Sequence, residues 1–345
     1  MSTAVITPSL PGPQVPASIR WIISRTDDLL WFIGSAAVSY AALALMAVGF
    51  PVTLIYFIWF VGIDGPHVIA TVTRTYCDKQ ERARLGWLLW MIVPLVAIGP
   101  VMVALRQAAL FYLFAVCWQH YHIAKQHFGF IMLWKAKNRE RDPAGHKLDR
   151  VFLLSSTILP LMLFVARTRL PHGNGLQLLT TITVLTYLVL LVHYVAQHFR
   201  FVRSGAIPNT PKFLLLAVLV PLQWLAFAYA ERFGPDGILR AGILLGLFHS
   251  FQYHRLLWFH NRNRYSSPNA RAHHGTAAIL AKHFGYYMGA AVGLHLVTTI
   301  LPQVAFPATE WLKAAIWGVP FTHYVLDSKI WHVRGNKDLA AALKL

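Results

Sequence analysis

Ten stretches of this chain are apolar for about the 20 residues that the hydrocarbon core of a bilayer demands. They run at about 29–48, 51–73, 85–105, 108–133, 151–166, 176–197, 213–230, 238–259, 277–301 and 311–330. In lipid every backbone N–H and C=O must be satisfied within the protein, and a helix does this inside one segment. The expected fold is therefore all-α: a polytopic transmembrane bundle of about ten helices. Composition agrees, because only 13% of residues are charged, against about a quarter in a soluble domain. The mean hydropathy is +0.49. No segment longer than about 30 residues is polar enough to fold apart from the bilayer. The domain reading is an N-terminal tail over 1–25, one membrane domain over 26–334 and a C-terminal tail over 335–345. The Pro/Ser/Thr-rich start reads as a flexible tail and not as a signal peptide.

The excess of 31 Lys and Arg over 13 Asp and Glu gives a net charge of +18. In a soluble protein this would suggest nucleic acid as a partner. Here the basic residues lie in short loops between apolar spans, so the positive-inside bias accounts for them, and no nucleic-acid partner is expected. Alternate loops carry 25 of the 31; the other side holds Arg106, Arg167, Arg169, Arg232, Arg240 and Lys313. That asymmetry places both termini in the cytoplasm, in a multi-pass protein of a bacterial-type inner membrane in contact with anionic lipid.

Histidine is the residue that breaks the apolar pattern. The run Cys117-Trp-Gln-His-Tyr-His-Ile-Ala-Lys-Gln-His-Phe-Gly-Phe130 sets His120, His122 and His127 inside a span. Ionisable groups in such places usually face a bundle interior and carry function. On a helix His120 and His127 fall nearly in register, while His122 and Gln126 form a second row beside them. His67 follows Asp64 by three residues across Gly65-Pro66, a pair that interrupts the hydrogen-bond ladder. His249 and His254 stand five apart, about 140° around a regular helix, so both meet one metal only if the helix bulges. His323 and Asp327 are four apart on one face. These histidines come mainly from spans whose C-terminal ends carry the basic loops, which points to one site in the cytoplasmic half.

The site candidates are thus His67, His120, His122, His127, His249, His254 and His323 as metal ligands, with Asp64 and Asp327 as ligands or as acceptors that orient imidazoles. Without such a role, Asp64 would pair with Lys125 or Arg255, and Asp327 would lie at the surface. Gln119, Gln126, Gln252, Tyr121 and Tyr253 are candidate outer hydrogen-bonders. Trp118, Phe128, Phe248 and Trp258 are candidate walls of an apolar channel. His193 and His198 read as interfacial or supporting. His146, His260, His273, His274 and His332 read as surface residues, and His295 as a satisfied core residue.

An imidazole-rich set with few carboxylates and no useful thiolates suits iron, copper or zinc. The two cysteines, Cys77 and Cys117, do not make a site by themselves. A His-Glu-x-x-His metalloprotease helix is absent. Haem held by facing histidines remains open on sequence.

In this arrangement the chain resembles the histidine-rich integral-membrane iron oxygenases: fatty-acid desaturases, hydroxylases and alkane hydroxylases. Their His-x-x-x-His and His-x-x-His-His boxes are not reproduced; His122-x4-His127, His249-x4-His254 and His120-x-His122 come nearest. A weaker likeness is to bacterial membrane carotene dioxygenases, whose iron is held by histidines on separate helices; His67, His120 or His122, His249 and His323 match that plan. The resemblance implies a dioxygen-activating oxidoreductase with iron, two ions in the first group, acting on a hydrophobic, lipid-like substrate. An electron-donor protein would dock on the basic loop 135–150 or the C-terminal tail. Two other classes fit the same residues: an ion or metal transporter using intramembrane histidines, and a haem-binding or quinone-linked electron-transfer protein.

Overall fold

The computed structural model describes residues 19–205, 207–306 and 309–345. Among these every regular element is helical. Seven helices are long and apolar enough to cross a membrane: α1 Arg25–Ala47, α2 Val52–Arg74, α3 Lys79–Ala104, α5 Pro143–Arg169, α6 Asn174–Arg203, α7 Thr210–Glu231 and α9 Phe284–Ala305. Between them lie α4 Ala108–Lys137 and α8 Gly237–Arg264. After α9 come α10 Glu310–Ile316, α11 Gly318–Ile330 and a short α12 Lys337–Ala342. The stretches read as spans from the sequence are mainly helical, the ninth being parted at 281–283 into Thr276–Leu280 and α9, and the tenth at Trp317. The three that fall outside the seven are α4, α8 and the α10–α11 pair. Histidine, glutamine and basic residues make α4 and α8 more polar than the rest, and α10 and α11 are two short helices parted at Trp317.

Helix starts follow ordinary capping chemistry. Asp142 accepts from Ala144 and Gly145 N–H with Pro143 at the first helical position of α5, and Asp78 accepts from Gln80 and Glu81 N–H at the start of α3. The Gly65-Pro66 pair does not break α2. A π-helical turn over Phe60–Asp64 absorbs it and the helix continues to Arg74. Two further π-turns are Asp28–Ile33 in α1 and Leu296–Ile300 in α9, the latter helix packing against α2. Gly65 lets α9 come close, because a Cβ there would lie 2.2 Å from His295 Nε2.

α8 is the axis of the bundle, packing on α1, α2, α4, α7 and α12. Its buried residues occur all round its circumference, as befits a helix enclosed by others. The chain before α1 is docked in the described part: Ile22 and Ile23 N–H donate to Asp28, whose carboxylate also accepts from Trp134 Nε1 at 2.7 Å. The rest of the expected tail, 1–18, lies outside the described residues. The C-terminal segment forms α12, with Leu339 and Leu343 buried.

Candidate metal centre

Four helices that pack on one another, α2, α4, α8 and α11, each turn one histidine inward. His67, His122, His249 and His323 offer one ligand atom apiece, all within 4.8 Å of one another. His67, His249 and His323 are buried and His122 is half-buried. His122 and His249 lie at the middle of α4 and α8, so the group sits deep in the bundle.

The hydrogen bonds around two of these rings decide which nitrogen faces inward. His323 Nδ1 lies 2.6 Å from Thr71 Oγ1, and Thr71 in turn donates to Asp327 Oδ1 at 3.0 Å. A carboxylate only accepts, so the hydroxyl proton points to Asp327 and His323 Nδ1–H donates to Thr71. That leaves a lone pair on His323 Nε2, 3.2 Å from His122 Nε2. The same relay recurs on α2. Ser250 donates to Asp64 at 2.9 Å and lies 3.3 Å from His67 Nδ1. His67 Nε2 is then an acceptor, and it is buried with no partner, as is His249 Nδ1. Buried polar atoms without partners are costly. Four nitrogens, His67 Nε2, His122 Nε2, His249 Nδ1 and His323 Nε2, thus form a neutral donor set that fits a divalent transition ion. Tyr253 closes the shell: its hydroxyl donates to Asp327 at 3.0 Å and its ring lies 4.4 Å from that of His67.

The sequence candidates divide. His67, His122, His249 and His323 come together. Asp64 and Asp327 stand one hydroxyl behind them as acceptors; Asp64 pairs with neither Lys125 nor Arg255, which binds Asp27 instead. The other three histidines are not in the group, although the ring of His254 lies 6.2 Å from that of His67. His254 gives both ring nitrogens to the protein, Nδ1 to Tyr287 hydroxyl at 2.6 Å and Nε2 to the Ile63 carbonyl at 3.0 Å. α8 is a regular helix through this stretch, so His249 and His254 diverge as their spacing requires. His120 Nε2 meets the Thr157 carbonyl, and His127 Nδ1 the Ile123 carbonyl. Of the two rows on α4, it is the His122/Gln126 row that faces the site. Gln126 donates to the His249 carbonyl and Gln252 to that of Phe32, so both brace α8.

Two surface and core expectations are corrected. His260 is fully buried beside Trp331, because the segment after α11 folds back over the end of α8. His295 is buried but its Nε2 has no partner, so it is not a satisfied core residue. Thr71 and Ser250 were not singled out in the sequence. Their one available signal is position, Ser250 adjoining His249 and Thr71 one turn after His67.

Two cavities meet at the group. One, of about 770 Å³, is lined by His67, His122 and His249 and by apolar residues such as Phe60, Val116 and Leu245. The other, of about 790 Å³, runs along α4 past Phe128 and Met132 to Trp331. His122 and Tyr324 line both. Compared with protein-family models, curated proteins and solved structures, the chain finds no match.

Proposed function

We propose that His67, His122, His249 and His323 hold one iron ion, and that the protein is a membrane oxidoreductase that activates dioxygen against a hydrophobic substrate. The observation that carries this reading is the convergence of four buried imidazoles from four helices beside an apolar cavity. One ion is proposed in place of the two that the first resemblance implies. Among the described residues one such group occurs, and its nearby carboxylates are engaged by Ser250, Thr71 and Tyr253. The set matches the separate-helix plan of the weaker likeness. When bound, iron would supply dioxygen activation. The chain's own residues hold the imidazole tautomers through the two relays, keep water out with aromatic walls, and seat an apolar substrate over His122 and His249.

Transport is the weaker reading, because ion paths are lined by charged or carbonyl groups, whereas both cavities here are chiefly aromatic and aliphatic. Haem fits less well, since four ligand atoms all within 4.8 Å leave no plane for a macrocycle. The test is metal analysis and an optical spectrum of protein purified in mild detergent. Stoichiometric iron that is lost in His249→Ala and His323→Ala but kept in His254→Ala is the expected result. Bound copper or zinc would replace iron in this reading. Loosely held metal with flux in vesicles would replace enzyme by transporter, and a haem spectrum would move it to electron transfer.

A further inference from the structure

The two cavities differ in position and are alike in size, the first having the more polar lining. Each lies in the range of a complete small-molecule site, and each is walled mainly by apolar side chains. The first reaches Gln303, Glu310 and Lys313 ahead of α11, and the second reaches His332 and Arg334 beyond it. They therefore extend from the histidine group in opposite directions along the bundle. The two residues that line both are His122 and Tyr324, whose rings stack with centroids 4.4 Å apart and planes at 26°. No hydrogen bond holds the Tyr324 hydroxyl among the described residues, so only that stack and neighbouring packing keep the ring in place.

We infer that the cavities are two arms of one binding site, with Tyr324 as the door between them, and that the ligand is a long linear hydrocarbon chain lying through both. Such a chain passes the four histidines with an internal carbon, not with its end. A substrate confined to one arm would instead bring a terminus to the group. Reaction at an internal position rests on the metal reading above. The binding of one chain across both arms does not, and it is tested on metal-free protein.

Two glycines allow each arm to be closed separately. Gly242 lines the first cavity and Gly129 the second, and a Cβ at either meets nothing within 4 Å. A side chain can therefore start at either position without meeting backbone, and Gly242→Phe and Gly129→Phe are the two blocks. Binding would be read by quenching of tryptophan fluorescence, since Trp59 lines one arm and Trp118 and Trp331 the other. The protein would be held in nanodiscs of saturated phosphatidylcholine. The probes are straight-chain hydrocarbons from octane to triacontane and linear isoprenoids from geraniol to squalene.

The expected result is one long chain per protein. A chain already dissolved in lipid gains no hydration term on entering the site, so what it gains there is contact with the walls, and affinity relative to lipid should keep rising past the length that fills one arm. Either phenylalanine should then return long chains to the affinity of short ones, and Tyr324→Ala should keep the stoichiometry at one. Whichever series binds more tightly identifies the chain as acyl-like or isoprenoid. Two chains per protein, long-chain affinity unchanged by one of the two blocks, or no binding by any chain would overturn the inference. Failure of the metal reading would appear separately, as wild-type protein without metal, and would leave these isotherms as they are.

Discussion

At the scale of single residues, the site depends on hydroxyls as much as on histidines. Thr71 and Ser250 each sit between an imidazole and a carboxylate. Partners of this kind, one step behind a metal ligand, are worth about 10–100-fold in metal affinity. Thr71→Val and Ser250→Ala should each weaken metal binding in that range, measured by competition with a chelator, and Thr71→Ser should restore it. His254→Ala should leave the metal in place while lowering stability, because it removes the ring that joins α8 to the Ile63 carbonyl and Tyr287. A separate prediction concerns Cys77, outside the spans, where burial pushes the thiol up. A raised pKa means less thiolate at a given pH. Maleimide should thus label Cys77 slowly near neutrality and faster as pH rises beyond the ordinary thiol range; rapid labelling at neutral pH would contradict the buried placement.

At the scale of elements, α4, α5, α6 and α7 are tied at one carboxylate. Asp149 on α5 accepts from Lys135 on α4, from Tyr194 on α6 at 2.7 Å and from Lys212 on α7 at 3.1 Å. Both lysines and the aspartate are buried. Removing one partner of a buried ion pair strands the other charge, at about 3–5 kcal/mol. Asp149→Asn should lower the thermal midpoint accordingly while leaving the histidine group, which sits on other contacts, able to bind metal in what remains folded. A midpoint equal to wild type would mean the knot contributes no net stability. The spacing of His249 and His254 was readable at this scale, since α8 stays regular and the two rings diverge. The course of α2 was not, because a π-turn depends on what packs against it. Here that is α9, which reaches α2 across Gly65.

At the scale of the whole molecule, the distribution of basic residues predicts an even number of crossings with both termini on the cytoplasmic side. Seven helices meet the demands of a membrane span by length and composition. The ten-span reading adds α4, α8 and the α10–α11 pair, which carry three of the four clustered histidines. Epitope tags at the two ends should both be shielded in right-side-out vesicles and both exposed in inverted ones. Tags on opposite faces would require an odd number of crossings and a different orientation.

The helical state of the chain, most of its apolar spans, the interior histidines and the company that Asp64 and Asp327 keep with them were legible in the sequence. They rest on local properties: hydropathy, periodicity and the cost of a polar group in lipid. Which histidines meet was decided only by the tertiary structure. His120, His122 and His127 are alike in composition and share one helix, and nothing local distinguishes them. The packing of α8 and α11 on α4, with α2 against both of them, turns the His122 row toward a common point, while His120 and His127 bond to backbone carbonyls elsewhere. The relays through Thr71 and Ser250, and the two cavities that meet at Tyr324, arise from residues more than 180 positions apart along the chain. No sequence pattern carries such proximity; it exists only once the helices are packed.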